Sequence, residues 1–184
     1  QADPRSPERG QYTFVQALIR EVAYNTLAKR DRKAKHLAAA RWFESLGSDE
    51  LAGALARHYL AAWQNSTEGP ESDALAGQAR LALKAAAERA VRLNAHDQAI
   101  ELFTDALSVT TDPAERAALM VQAGPSYLAR SRYAEVEQLL RQARDLAIAI
   151  EDRVMEARAT TLLNQALASS LRRIEAQGLV EDTW

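Results

Sequence analysis

The chain has 184 residues, a formal net charge of −2 and no cysteine, and alanine makes up about a fifth of it. The near-balanced charge excludes a general basic field that would recruit nucleic acid, and the lack of thiols excludes disulfides, thiolate metal sites and cysteine nucleophiles. Abundant alanine with few glycines and prolines favours an all-α fold in which small side chains lie where helices meet.

The N-terminal stretch predicts a polar lead-in followed by one short strand. Residues 1–11 include Pro4 and Pro7, which disfavour helix, so we expect this segment to be extended or disordered. Residues 12–15 (Tyr-Thr-Phe-Val) have high β-propensity and predict the only strand of the chain. We find neither an export signal nor an apolar run that could span a bilayer, and we therefore expect a cytoplasmic protein without membrane contact.

Two helices are expected to complete a second unit, residues 12–47. The first begins at Ala17, and its apolar residues recur on one face with helical spacing. These residues are Leu18, Ile19, Val22, Ala23 and Leu27. The charged run 29–33 predicts the break before the second helix, which we expect to end at Gly47 as a C-terminal cap.

Residues 48–184 predict six more helices, which brings the expected total to about eight. Ser48 is expected to cap the first of them, and a loop containing Gly69 and Pro70 follows at 65–72. The other five are predicted at 73–93, 97–109, 113–130, 133–150 and 154–176. Residues 178–184 predict a frayed end.

The helix that starts near residue 113 carries the strongest local signal of the sequence. Asp112 is expected to cap it, Pro113 to occupy the first helical position, and Glu115 to reach back as in a capping box. Pro125 lies inside the same helix. Because a proline removes one helical hydrogen bond and crowds the preceding turn, we predict a kink near Ala123.

One pattern of large and small residues occurs twice between residues 83 and 143. Its key small residues, expected where two helices cross closely, are Ala87, Ala106, Gly124 and Ala143. A third copy begins near Val154, with either Thr161 or Asn164 in the role of Gly124. Because a repeat without its neighbour exposes an apolar face, we expect the array to continue beyond this sequence.

Residues 83–150 resemble tetratricopeptide repeats. The matching positions are occupied by Phe103, Ala106, Gly124, Tyr127, Tyr133 and Ala143. Leu83 and Met120 stand where tryptophan is usual, and the spacing of the two copies is longer than the standard length of about 34 residues. The resemblance implies a right-handed α-solenoid of antiparallel helix pairs, which we expect over residues 48–184.

Residues 14–24 (Phe-Val-Gln-Ala-Leu-Ile-Arg-Glu-Val-Ala-Tyr) resemble the motif that closes the winged-helix region of multidomain signalling ATPases. The motif continues with Leu27, Arg30, Arg32 and His36, and residues 55–59 are similar to the helix that follows in that family. Gln16 stands where the family often has histidine. Many such proteins carry a class III adenylate or guanylate cyclase, a kinase or a DNA-binding domain. The resemblance implies a winged-helix remnant at 12–47 within a bacterial-type signalling protein.

No catalytic motif of that family lies in this sequence. A phosphate-binding loop would need glycines and a Gly-Lys-Ser/Thr ending, and the paired aspartates of a cyclase would need adjacent strands. His36, His58 and His96 are far apart and lack zinc-like spacing, so we expect packing or helix-end roles for them. We therefore expect no catalytic residue, cofactor or metal site, and any ATPase or cyclase activity would belong to other parts of the parent protein.

The resemblance to tetratricopeptide repeats also implies a partner groove, formed by the first helix of each pair. In the register above, this groove presents Arg80, Lys84, Glu88, Arg92, Val121, Leu128 and Arg158. Basic and apolar side chains together suit an acidic-apolar peptide or the parent's own catalytic domain. The alternative is that Glu88 simply pairs with Lys84 and Arg92 along one helix.

The expected function is that of a non-catalytic protein-interaction and regulatory segment within a larger cytoplasmic signalling protein of the ATPase or nucleotide-cyclase type. One alternative is a free-standing peptide-binding adaptor. Another is a DNA-binding transcriptional regulator that would use the basic cluster at residues 29–35. Asp31 interrupts that cluster and a solvated helix start explains it as well, so nucleic acid is not the expected partner. A further alternative partner is a second copy of the chain, bound through the exposed end of the repeat array.

Overall fold

Eight α-helices account for most of the described chain. The computed structural model describes the backbone of residues 17–181 and the side chains of residues 18, 19 and 21–171. The helices are α1 (Ala17–Asn25), α2 (Lys29–Leu46), α3 (Ala52–Gln64), α4 (Pro70–Arg92), α5 (His96–Ser108), α6 (Pro113–Ala129), α7 (Tyr133–Ala149) and α8 (Arg153–Glu181). A 3-10 turn at Asp49–Leu51 precedes α3, and no strand occurs between residues 17 and 181. The predicted all-α fold of about eight helices is confirmed.

Two predicted segments fall outside the part of the chain that the structure describes. They are the lead-in and short strand at residues 1–15, and the last residues of the predicted frayed end, 182–184. The described part of that end is helical instead, because α8 continues to Glu181. A single glycine such as Gly178 costs a helix only about 1 kcal/mol, so it does not have to end one.

Helices that follow one another in the chain are also neighbours in space. Each helix from α2 to α7 packs against the next, and α6 additionally contacts α8. Only three residues connect α4 to α5, α6 to α7 and α7 to α8, and such short links make neighbouring helices antiparallel. Within the described residues no helix is both long and apolar enough to cross a membrane.

Three helices end in the same turn, which is built around a left-handed residue other than glycine. Asn94, Ser131 and Glu151 are left-handed, with φ of 56°, 56° and 58°. The N–H of each following residue donates to the carbonyl five positions earlier, from Ala95 to Ala90, Arg132 to Tyr127 and Asp152 to Ala147. These bonds satisfy carbonyls that a helix end would otherwise leave without a donor. Asn94 and Ser131 are equivalent positions of the two sequence repeats, so the repeats share their turn as well as their core.

The small residues of the repeat pattern are buried as predicted. Ala87, Ala106 and Ala143 are fully buried, and Gly124 is buried in α6. A Cβ added to Gly124 would lie 3.3 Å from Leu162 Cδ1 and 3.5 Å from Leu140 Cδ2. The absence of a side chain at Gly124 therefore lets α7 and α8 both approach α6 closely.

The main apolar cluster runs from α2 to α6, and two smaller clusters join α6, α7 and α8. The largest fully buried side chains of the main cluster include Leu83 of α4 and Phe103 of α5. In the third copy, Ala159 is buried against Met120 and Ala143, whereas Thr161 and Asn164 are both exposed. Both predicted registers for the third copy are therefore wrong, because α8 presents Ala159 to the core.

The predicted caps Gly47 and Asp112 are present, whereas Ser48 caps the 3-10 turn and not α3, which has no side-chain cap. Gly47 ends α2 with φ of 59°, the Ser48 hydroxyl accepts from the Glu50 N–H at 3.3 Å, and Asp112 Oδ1 accepts from the Glu115 N–H at 2.8 Å. The Glu115 carboxylate does not complete the expected capping box; it forms an ion pair with Arg80 of α4. A charged partner on the neighbouring helix outcompetes a backbone N–H for this side chain.

The predicted break at residues 29–33 is wrong, because α2 begins at Lys29 and the connection is only residues 26–28. The reason is that Arg32, in the first turn of α2, donates to the carbonyls of Asn25 and Leu27, each at 3.0 Å. These bonds satisfy the end of α1 and join the two helices tightly. The loop predicted at 65–72 is likewise too long, because Pro70 starts α4.

Pro125 lies within α6, which continues to Ala129. Because proline has no N–H, the carbonyl of Val121 lacks its usual helical donor. The predicted kink near Ala123 stays a prediction.

Candidate functional site

Helices α4, α6 and α8 line two depressions on the surface of the described structure. The larger has a volume of about 580 Å³ and lies between α6 and α8. The smaller, of about 110 Å³, lies between α4 and α6. These are the first helices of the pairs in the repeat register, so both depressions lie where the sequence placed the partner groove.

The larger depression has an apolar surface with basic side chains beside it. Its apolar residues are Val121 from α6 and Val154, Ala157 and Leu162 from α8. Arg153, Arg158 and Thr161 supply its polar atoms. Val154 has 63 % of its surface exposed, so the apolar surface of this depression is open to solvent.

Four of the seven predicted groove residues line these depressions. Arg80 and Lys84 lie in the smaller one, and Val121 and Arg158 lie in the larger one. These four residues lie on α4, α6 and α8, which are the first helices of the pairs in the repeat register. They do not lie in a single depression.

The other three predicted residues lie elsewhere. Leu128 is partly buried and packs against the apolar cluster of α6, α7 and α8, so it belongs to the core. Glu88 is exposed, with its carboxylate 4.0 Å from the Lys84 ammonium one helical turn earlier. This is the pairing along one helix that the sequence left open as an alternative. Arg92 is exposed at the end of α4 and lines neither depression.

Charge is distributed unequally between the two depressions. In the smaller one, Arg80 is neutralised by Glu115, and Lys84 by Glu88. In the larger one, Arg153 Nη1 lies 3.5 Å from a Glu156 carboxylate oxygen. Arg158 forms no ion pair with any described residue. Within the described part of the chain, the larger depression therefore has one basic side chain without an ion-pair partner next to apolar surface.

The sequence did not point to Val154, Ala157 or Leu162 as groove residues. Their spacing places all three near one side of α8, so helical periodicity could have identified them as residues of one surface. They were not identified because the register of the third repeat was ambiguous. Once Ala159 is known to face the core, these residues can be assigned to the adjoining surface.

The basic cluster considered for DNA binding is partly occupied by protein contacts. Arg32 binds the end of α1, and Lys33 Nζ lies 2.9 Å from a carboxylate oxygen of Glu71 in α4. Lys29, Arg30 and Lys35 are exposed. Two of the five cations thus have structural roles, which weakens the cluster as a phosphate-binding surface.

The three histidines do not form a metal site in the described structure. No group of three or more His, Cys, Asp or Glu side chains between residues 18 and 171 is arranged to hold a metal ion. His36 and His58 contact each other, and His96 Nδ1 lies 3.4 Å from the hydroxyl of Ser126.

Comparison with known proteins yields no relative for this chain. No family model, no curated protein and no solved structure matches it.

Proposed function

We propose that this chain is a non-catalytic protein-interaction segment of a larger cytoplasmic signalling protein, of the ATPase or nucleotide-cyclase type. In this proposal, residues 48–181 form a tetratricopeptide-like right-handed solenoid. Support comes from the buried small residues at equivalent positions of α4–α7 and from the repeated left-handed helix ends at Asn94 and Ser131. The motif resemblance of residues 14–24 supports the signalling parent.

The observation that carries the interaction role is the larger depression between α6 and α8. It combines solvent-exposed apolar side chains with the uncompensated charge of Arg158. Apolar surface held open in this way is typical of a binding site for another protein segment. An occupant with an apolar side chain and a carboxylate would satisfy both features.

Such an occupant would also link two helices. Val121 belongs to α6 and Arg158 to α8, and the two helices contact each other. A bound peptide, or a surface of the parent's catalytic domain, would bridge them and favour one relative position. This would pass the state of the partner along the array as a rigid-body movement.

A displayed library of random peptides tests the proposal directly. We expect selection on the purified chain to enrich peptides that pair an apolar residue with an acidic one, and we expect R158E to weaken their binding at least tenfold. R30E is the matched control, because Arg30 is exposed in the first turn of α2 and the substitution changes the net charge equally. Failure to enrich peptides, or equal binding by R158E and R30E, would rule out this site.

A further inference from the structure

Three helices meet through a continuous chain of polar contacts at the N-terminal end of the described structure. The Tyr24 hydroxyl of α1 lies 3.0 Å from Nε2 of His36 in α2. Nδ1 of His36 lies 2.9 Å from Nδ1 of His58 in α3. Asn65, directly after α3, donates from Nδ2 to the Tyr24 hydroxyl at 3.3 Å. We call these four side chains the histidine junction.

The contact between the two imidazoles restricts their protonation. A hydrogen bond between two Nδ1 atoms needs one that carries a proton and one that does not. With His36 as the donor, Tyr24 can donate to His36 Nε2 and accept from Asn65, and every contact is satisfied while both rings are neutral. Two imidazolium rings would direct N–H against N–H across 2.9 Å, so the junction cannot remain intact with both histidines charged.

The groups around the junction favour the neutral rings. Phe43 stacks on the His58 ring, with centroids 5.4 Å apart, and the Arg32 guanidinium lies 4.6 Å from the centre of the Tyr24 ring. Burial is the main cause that lowers the pKa of His36, and the His58 ring lowers it further. Burial alone lowers the pKa of His58.

Two acidic groups on the helices around the junction are engaged with other partners. On α4, Glu71 pairs with Lys33, and on α2, Glu44 accepts from the Tyr59 hydroxyl of α3. Burial raises the pKa of Asp105 on α5, and the positive charge of Arg57, next to His58 on α3, opposes this shift. No carboxylate is among the causes that shift the pKa of either imidazole: these are burial and, for His36, the His58 ring.

Helix α1 depends on this junction for its attachment. Its side chains Leu18, Ile19 and Val22 are each more than half exposed, so they contribute little burial against the described residues. Tyr24 is instead half-buried, where it contacts His36, Asn65 and Arg32. The polar junction, together with the Arg32 bonds at the end of α1, therefore holds the helix in place.

We propose that the His36–His58 pair is an acid-sensitive catch, which holds α1 against α2 and α3 at neutral pH and releases it when the imidazoles take up protons. Release would expose the buried side of α1 and the surface of α2 and α3 that it covers. This is a regulatory role distinct from the α6–α8 depression, and it stands or falls independently of that site.

The direction in which pH changes the stability of the junction follows from proton binding. A histidine whose pKa is lower in the folded state binds fewer protons when folded than when unfolded, so its contribution to stability rises with pH. The stabilisation is complete above the unfolded pKa near 6.5 and is lost as the pH falls from there towards the lowered pKa values of the folded protein. The catch should therefore open below about pH 6.5, not above it.

Hydrogen exchange of the whole chain tests the catch. After correction for intrinsic exchange rates, we expect protection of the α1 amides to fall between pH 7.5 and pH 5.5, by at most roughly tenfold for each imidazole, because pH 5.5 lies about one unit below the unfolded pKa. Protection in α4–α7 should stay unchanged. In H36Q/H58Q, which retains polar side chains but cannot titrate, protection of α1 should be independent of pH. H96Q is the matched control, and it should respond as the unmodified chain does.

A second variant keeps the test decisive if H36Q/H58Q does not fold. Y24F removes only the hydroxyl, so it should lower α1 protection at pH 7.5 towards the level that acid produces in the unmodified chain. The proposal is overturned if acid leaves α1 protection unchanged, if α4–α7 lose protection equally, or if H36Q/H58Q responds to acid as before. It is also overturned if Y24F leaves α1 fully protected, or if NMR titration shows both imidazoles titrating at or above pH 6.5.

Discussion

The repeat region α4–α7 and the N-terminal region α1–α3 differ in their contacts, because apolar packing joins α2 and α3 to the main cluster whereas α1 is attached mainly by polar groups. Between α4 and α7, alanine, glycine and larger apolar side chains pack at fully buried positions, and the same turn recurs. Between α1 and α3, imidazole, phenol and amide groups form hydrogen bonds, while several apolar side chains remain exposed. Apolar packing is insensitive to pH, whereas a polar junction is not. The two regions should therefore respond to different perturbations.

The largest expected effect is a cavity in the repeat region. Phe103 of α5 is only 1 % exposed, so F103A should lower the free energy of unfolding by about 3–5 kcal/mol, equally at pH 5.5 and pH 7.5. Denaturant titration at both pH values measures this. L81A, at an exposed position of α4, is the control and should change stability by less than about 0.5 kcal/mol. A strongly pH-dependent loss for F103A would break the distinction between the two regions.

A smaller effect is expected from a second polar contact of the N-terminal region. The Tyr59 hydroxyl of α3 donates to Glu44 Oε1 at 2.6 Å, and Y59F should cost about 0.5–1.5 kcal/mol. Burial, followed by the hydrogen bond and the charge of Glu44, raises the pKa of Tyr59 to about 12. Because this folded pKa is above the unfolded value of about 10, stability should be lost as the pH rises through that interval.

Spectroscopic titration of tyrosine ionisation measures the pKa of Tyr59, with Y59F identifying its signal. Tyr133, whose hydroxyl is in an exposed contact with Ser131, provides an internal comparison when it is also replaced by phenylalanine. Ionisation of Tyr59 near pH 10 would show that the contact with Glu44 is weak in solution.

The smallest changes in stability are expected when two glycines of the repeat helices are replaced by alanine. G77A should stabilise the protein by about 0.5–1 kcal/mol, because no atom lies within 4 Å of the added Cβ and alanine is the better helix former. At Gly124 the same gain is offset by the 3.3 Å approach to Leu162 Cδ1, so G124A should be close to neutral. Thermal unfolding of both variants measures the difference, and equal stabilisation would show that α6 and α8 are not closely packed at Gly124.

Much of the repeat core could be predicted from the sequence, because the signal is local. Ala87 and Gly124 occupy equivalent positions of the two copies, as do Ala106 and Ala143, and all four are buried. Asp112 and Gly47 were identifiable as caps for the same reason, since a cap depends on the residue and its immediate neighbours.

The features that the sequence did not reveal depend on contacts between distant residues. His36 and His58 lie on different helices, and nothing in their spacing indicates that their rings meet. The charged run at 29–33 suits a helix as well as a loop, and only the bonds from Arg32 to the end of α1 decide between them. Arg158 was predicted as a groove residue of α8, but its apolar neighbours Val154, Ala157 and Leu162 were missed because both registers considered for the third copy were wrong.

Pro125 has a consequence for whatever occupies the α6–α8 depression. The carbonyl that it deprives of a donor belongs to Val121, a residue of that depression. If the proposed peptide ligand places a backbone N–H at this oxygen, it would supply the hydrogen bond that α6 lacks, whereas an apolar ligand without an N–H would not. In that case the proline that interrupts α6 would give the proposed binding site a preference for peptides over ligands without an N–H.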